Sequence, residues 1–298
     1  MFMITRRSMV VSLAATTILT QTPTALASAA HGIDDAADAK RKINIAGRQR
    51  MLTQRMAKAS CFAFLDIERQ QHIEQAKAAH ALFDRSLRGL RYGDPELGLK
   101  TERNSRVQKG LGVVNGLWFS YGEAVANAFG GAKVEREALD AIIAQNLTIL
   151  KEMNRTVGLT EQAYGGNEIP LHLAIAINIA GRQRMLTQKM SKEVCMIAAG
   201  YAPEETRGAL AKTVALFDNS LLALREGMAL VGIQPPKTRE VAQQLSAVAE
   251  MWGVLKPVMD RVVADGKVED TTLEKVATEN NPLLVEMNKA VFLYEKES

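Results

Sequence analysis

Cysteine and histidine are scarce in this chain: two and four among 298 residues. The histidines (His31, His72, His80, His172) have no metal-ligand spacing, and Cys61 and Cys195 are single thiols 134 residues apart. Zinc and haem sites of the usual patterns are therefore not expected. Aromatic residues make up 5% of the chain, and no basic cluster is interleaved with them. That argues against single-stranded nucleic acid as a partner. Alternating β-branched runs are missing, which excludes a sheet-based fold, and no stretch reaches 18 uninterrupted apolar residues. GxSxG, Walker A and GxGxxG are also missing, so neither a catalytic residue nor a cofactor is expected.

What is present begins with an export signal, expected over residues 1–29. Arg6-Arg7 precedes a moderately apolar run from Met9 to Thr20, followed by two A-x-A-like cleavage sites ending at Ala27 and Ala29. Thr5-Arg6-Arg7-Ser8-Met9 looks like a twin-arginine signal; an ordinary export signal with two basic residues is the alternative. The expected location is the periplasm, with no transmembrane anchor in the mature form. The signal carries two of the 37 basic residues and no acidic ones, leaving 35 against 33. The apparent pI of 9.0 thus gives no argument for nucleic acid. Ala, Leu, Met, Glu, Lys, Arg and Gln dominate, all strong helix formers.

INIAGRQRMLTQ occurs twice without change, at Ile43 to Gln54 and at Ile177 to Gln188. At the same 134-residue offset Cys61 meets Cys195, Phe83-Asp84 meets Phe217-Asp218, and Trp118 meets Trp252. Asn146 and Glu152-Met153-Asn154 likewise meet Asn280 and Glu286-Met287-Asn288. Register held over a whole copy marks a tandem duplication. The expected modules cover residues 32–164 and 165–298, with Gly165-Gly166 and Pro170 at the boundary. Each copy reads as four helical segments with short connections. The fold class is therefore all-α, two tandem up-down four-helix bundles. Pro257, inside the seventh segment, is expected to kink it.

On a helix, Ile43, Gly47, Arg50, Gln54, Ala57 and Cys61 fall on one seam, while Ile45, Leu52, Met56, Ala59 and Ala63 form an apolar stripe for the bundle core. The small residues on the seam let a second backbone approach. If the two first helices pair about a pseudo-twofold, Arg50 and Arg184 come face to face. Two guanidiniums about 4 Å apart repel by roughly 4 kcal/mol at an effective dielectric near 20, and a small planar anion between them removes that cost. A ligand on such an axis needs identical residues from both sides, which accounts for the unchanged dodecamer. Shared ancestry, with solvated arginines, is the plainer alternative. Cys61 lies eleven residues beyond Arg50, within roughly 20° of the same face, and Cys195 stands in the same relation to Arg184. Parallel pairing would bring the thiols together, as a close pair or as a disulfide permitted by export; two buried small residues are the alternative.

INIAGRQRMLTQ resembles the "P-box" in the periplasmic sensor region of NarX-type nitrate/nitrite sensor kinases, and the N-terminal module of PilJ-type methyl-accepting transducers. The resemblance covers both copies, most sharply at Ile43 to Lys58 and Ile177 to Lys192. It implies four-helix modules with nitrate at an interface between first helices. Carried over by motif, the ligand-binding residues are Arg50 with Gly47 and Arg184 with Gly181, joined by Asn44 and Asn178. The sequence departs from the family pattern in having both modules in one chain, without a HAMP segment, kinase or methyl-accepting region. It is expected to be a detached sensor for nitrate, nitrite or a similar oxyanion, acting through a membrane sensor, transporter or transducer. A structural or adaptor protein of a cell-envelope complex, with no anion ligand, is the alternative.

Overall fold

The computed structural model describes residues 33–131 and 133–297. The export signal expected over residues 1–29 lies outside them. Among the described residues there are eight α-helices: α1 (Asp35–Phe64), α2 (Arg69–Tyr92), α3 (Ser105–Ala128), α4 (Arg136–Tyr164), α5 (Leu171–Ala198), α6 (Pro203–Glu226), α7 (Arg239–Asp265) and α8 (Asp270–Lys296). The all-α reading and the helical segments of both copies agree with this architecture.

The helix starts follow capping chemistry. Asp34 accepts from the Ala37 amide at 3.1 Å, Asn104 from those of Arg106 and Val107, and Thr238 from that of Val241. Each satisfies a backbone donor that the first turn leaves free. α2 and α6 end at Gly93 and Gly227, whose φ angles of 86° and 84° lie where a Cβ is strained. Beyond each glycine the chain makes a single 3-10 turn before the third helix of its copy. Pro257 lies inside α7 without ending it, and Pro282 does the same in α8.

Within each copy the helices form a ring: α1 packs on α2 and α4, and α3 closes it against both; α5 to α8 repeat the pattern. The matched residues explain themselves here. Trp118 Nε1 donates to Asp84 at 3.1 Å and its ring packs 4.3 Å from that of Phe83; Trp252 repeats this with Asp218 at 2.9 Å and Phe217 at 4.5 Å. A buried indole N–H needs such an acceptor.

The most extensive helix contact, however, joins the copies: α1 against α5. α1 buries 21 of its 30 residues, against nine of 24 in α2. Ile45, Leu52, Met56, Ala59 and Ala63 are all buried, as the apolar stripe predicts. The opposite seam is buried too, so α1 and α5 are core helices of one shared interior. This explains their weak amphipathic pattern.

Candidate functional site

Three polar or covalent layers follow one another along the α1–α5 seam. In the first, the helices cross at Gly47 and Gly181. A Cβ on Gly47 would stand 3.3 Å from Arg50 Nη2, 3.6 Å from Arg184 Nη2 and 3.9 Å from Gly181 Cα. The same three distances recur for Gly181 with the copies exchanged. The seam therefore has a local twofold, and both guanidiniums reach the same crossing point. Arg50 is fully buried and Arg184 is 3% exposed.

Each arginine binds across the seam. Arg50 donates to the Asn178 carbonyl at 3.0 Å and to Asn154 Oδ1 at 2.9 Å. Arg184 donates to the Asn44 carbonyl at 3.1 Å, to Asn44 Oδ1 at 2.7 Å and to Asn288 Oδ1 at 3.3 Å. Each guanidinium therefore has partners within the protein itself. A helical carbonyl has a second lone pair to offer, and the close crossing puts those of Asn44 and Asn178 within reach. These acceptors are neutral. Neither arginine has a carboxylate within 4 Å among the described residues, and the Nε of each is buried without a partner. Burial pulls both guanidiniums down to about 9, aided by Arg182 and Arg184 for Arg50 and by Arg48 for Arg184. Glu161 and Glu295 oppose the shift from farther off.

The second layer lies two turns on. Lys58 donates to Gln75 Oε1 and Asn280 Oδ1, both at 3.3 Å. Lys192 donates to Gln54 Oε1 at 2.9 Å and Asn146 Oδ1 at 2.8 Å. Asn146 and Asn280 turn their amides to the carbonyls of Thr53 and Thr187. Both lysines are buried and, like the arginines, meet only neutral acceptors. Burial takes Lys58 down to about 7, with help from Arg55, and Lys192 to about 8, where Glu193 opposes it. In the third layer Cys61 and Cys195 form a disulfide, Cα atoms 6.1 Å apart. Contacts in matching register at Gly47 and Cys61, about 21 Å apart along the axis, make α1 and α5 parallel.

The structure thus gathers Arg50, Arg184, Gly47, Gly181, Asn44 and Asn178 at one crossing and joins Cys61 to Cys195. Sequence reasoning missed the second lysine layer, and also Asn154, Asn288, Glu161 and Glu295. Glu161 accepts from Asn178 Nδ2, and burial pushes the Glu295 carboxyl above its usual range, opposed by Arg41 and Asn44. All of these recur at the 134-residue offset, which was the available signal. Among the described residues no cluster of His, Cys, Asp or Glu could hold a metal, and no helix is long and apolar enough to cross a membrane.

Two comparisons bear on this seam. The family described as type IV pili methyl-accepting chemotaxis transducer N-term (PilJ) matches residues 33–144 and 170–277, one match per copy. The methyl-accepting chemotaxis protein McpN of Pseudomonas aeruginosa is 33% identical over 117 residues, 39% of this chain. That match takes in 21% of the relative's length.

Proposed function

We propose that this chain, which belongs to the PilJ family of chemotaxis-transducer N-terminal domains, senses a small planar oxyanion, nitrate or nitrite, held between Arg50 and Arg184. The observation that carries this reading is the pair of buried guanidiniums meeting at one crossing with no carboxylate beside them. Each keeps a buried Nε without a partner. An oxyanion on the local axis accepts forked hydrogen bonds from both sides and offsets the desolvation that burial imposes. Asn44 and Asn178, whose carbonyls already bind the arginines, orient them. Gly47 and Gly181 keep the space free. The proposed setting is the periplasm, reached by the twin-arginine signal, and the output passes to a membrane transducer, sensor or transporter.

The test is thermal unfolding of the mature protein with nitrate, nitrite, chloride and sulfate. At one hundred times its dissociation constant a bound anion adds about 2.7 kcal/mol. In a chain this size that raises Tm by about 5 °C. Arg50→Ala and Arg184→Ala are each expected to remove most of the shift; an unchanged shift in the double variant refutes the assignment. A purely structural or adaptor role is the second reading, favoured by the arginine–asparagine bonds that already tie the copies together. It is the one left standing if no anion moves Tm.

A further inference from the structure

On one side of the seam the site opens into a groove of about 460 Å³ between α2 and α8, floored by α1. Arg41, Arg48 and Arg55 line it, and Arg184 reaches it from α5. The three α1 arginines stand seven residues apart, two helical turns or about 10.5 Å each, on one face. The acidic group in this groove is Glu295, 3.6 Å from Arg41. Arg48 donates to Ser86 Oγ at 3.1 Å and keeps a buried Nε without a partner; so does Arg184. Between Arg48 and Arg55 the wall is apolar, with Leu52 from the floor and Leu82 and Phe292 from the sides.

We propose that this groove binds an organic dicarboxylate, one end at Arg48 and Arg184 and the other at Arg55, its carbon chain against Leu52, Leu82 and Phe292. Four arginines against one glutamate favour more than a single negative charge. The cavity lies in the size range of organic-ligand sites, far larger than an inorganic oxyanion requires. Apolar walls give nothing to a hydrated inorganic ion. The site lies on one side of the pseudo-twofold. In the other copy Ile175 stands where Arg41 does, and Lys189, the counterpart of Arg55, is engaged by Glu193. The groove shares Arg184 with the proposed oxyanion site, whereas Arg48 and Arg55 line the groove and Arg50 does not, so variants of Arg48 and Arg55 separate the two readings.

The test is calorimetric titration of the full mature protein with succinate, adipate and suberate. Hexanoate, sulfate and nitrate serve as controls, with the variants Arg48→Gln, Arg55→Gln and Arg50→Gln. Adipate or suberate is expected to bind at least tenfold tighter than hexanoate and sulfate. Arg55→Gln is expected to bring it to the hexanoate level while leaving any nitrate response intact, and Arg48→Gln to weaken it at least tenfold. Arg50→Gln is expected to abolish the nitrate response while a dicarboxylate still outbinds hexanoate. Failure of every dicarboxylate to outbind hexanoate overturns the proposal. So does a dicarboxylate affinity that survives both groove variants. Arg48 and Arg55 are only half-buried and exposed to replacement by a polar side chain, so those two variants decide the matter even if Arg50→Gln does not fold. Loss of the nitrate response alone would refute the seam reading and leave this one standing.

Discussion

Lys58→Met probes the second layer most directly. The Lys58 amine is fully buried, and burial lowers it to about 7 from an ordinary 10.5. Below pH 7 both folded and unfolded chains hold the proton, so the fold carries the whole desolvation cost. Above 10.5 neither holds it and the cost is gone. Between the two values the unfolded chain binds more protons, so stability rises with pH. At about 1.4 kcal/mol per unit, the gain from pH 6 to pH 9 is about 2–3 kcal/mol. Methionine keeps the length and removes the titration. It also strands Gln75 Oε1, while Asn280 Oδ1 keeps its bond from Gln188 Nε2; the cost is on the order of 1–3 kcal/mol and does not depend on pH. The measurement is urea unfolding of both proteins at pH 6, 7, 8 and 9. The wild type is expected to gain on the variant across that range, by about 2–3 kcal/mol in total. Parallel curves would refute the assignment of a buried, depressed amine and with it the account of the layer.

Other expectations follow from the same seam. The disulfide spans 134 residues, so Cys61→Ser with Cys195→Ser should lower stability by up to about 5 kcal/mol on the loop-entropy account; unchanged urea midpoints would contradict it. Gly47→Ala should change stability by less than about 1 kcal/mol, because the new Cβ meets movable guanidinium ends at 3.3 and 3.6 Å and the Gly181 Cα at an ordinary 3.9 Å, and gains helix propensity. Gly47→Leu should lose about 1–3 kcal/mol or more by overpacking against Gly181; equal urea midpoints for the two variants would show that the helices do not cross there.

The helices and the duplication were legible because they are properties of one chain segment or of its register. The break at Gly93 follows from local backbone chemistry, whereas in the second copy the sequence points to Gly232 to Pro236 and α6 already ends at Glu226. The shared seam was legible for a different reason: Gly47, Arg50 and Cys61 lie on one helix face, and two identical faces can meet about an axis. The lysine layer was not. On a helix, Lys58 reads as an ordinary solvated side chain, and what buries it is Asn280, 222 residues away. Asn146 and Asn280 repeat at the 134-residue offset, yet repetition alone does not say which way an amide points. The carbonyl acceptors of Arg50 and Arg184 were hidden more deeply still. A backbone oxygen has no residue identity, so the motif that includes Asn44 and Asn178 does not reveal that their carbonyls accept from the opposite arginine.

The unchanged dodecamer then has a physical account that reaches beyond the arginines. Gln49 and Gln183 donate to the carbonyls of Phe83 and Phe217, both at 2.9 Å, fixing each first helix in its own bundle. Thr53 and Thr187 close onto the carbonyls of Arg50 and Arg184. Gly47, Arg50 and Asn44 face the other copy, so a change in either copy is felt by both. Residues that touch only their own bundle carry no such double constraint, and at some of them the copies have parted. Tyr121 hydrogen-bonds to the Thr53 carbonyl, while its counterpart Leu255 contributes packing alone. Lys42, buried with Asp38, Glu102 and Tyr164, has Ala176 in its place in the second copy. A homodimer would impose each substitution on both halves. A fused pair keeps the axis where symmetry is needed and lets the flanks differ, which is how one side of this seam alone comes to carry a row of three arginines.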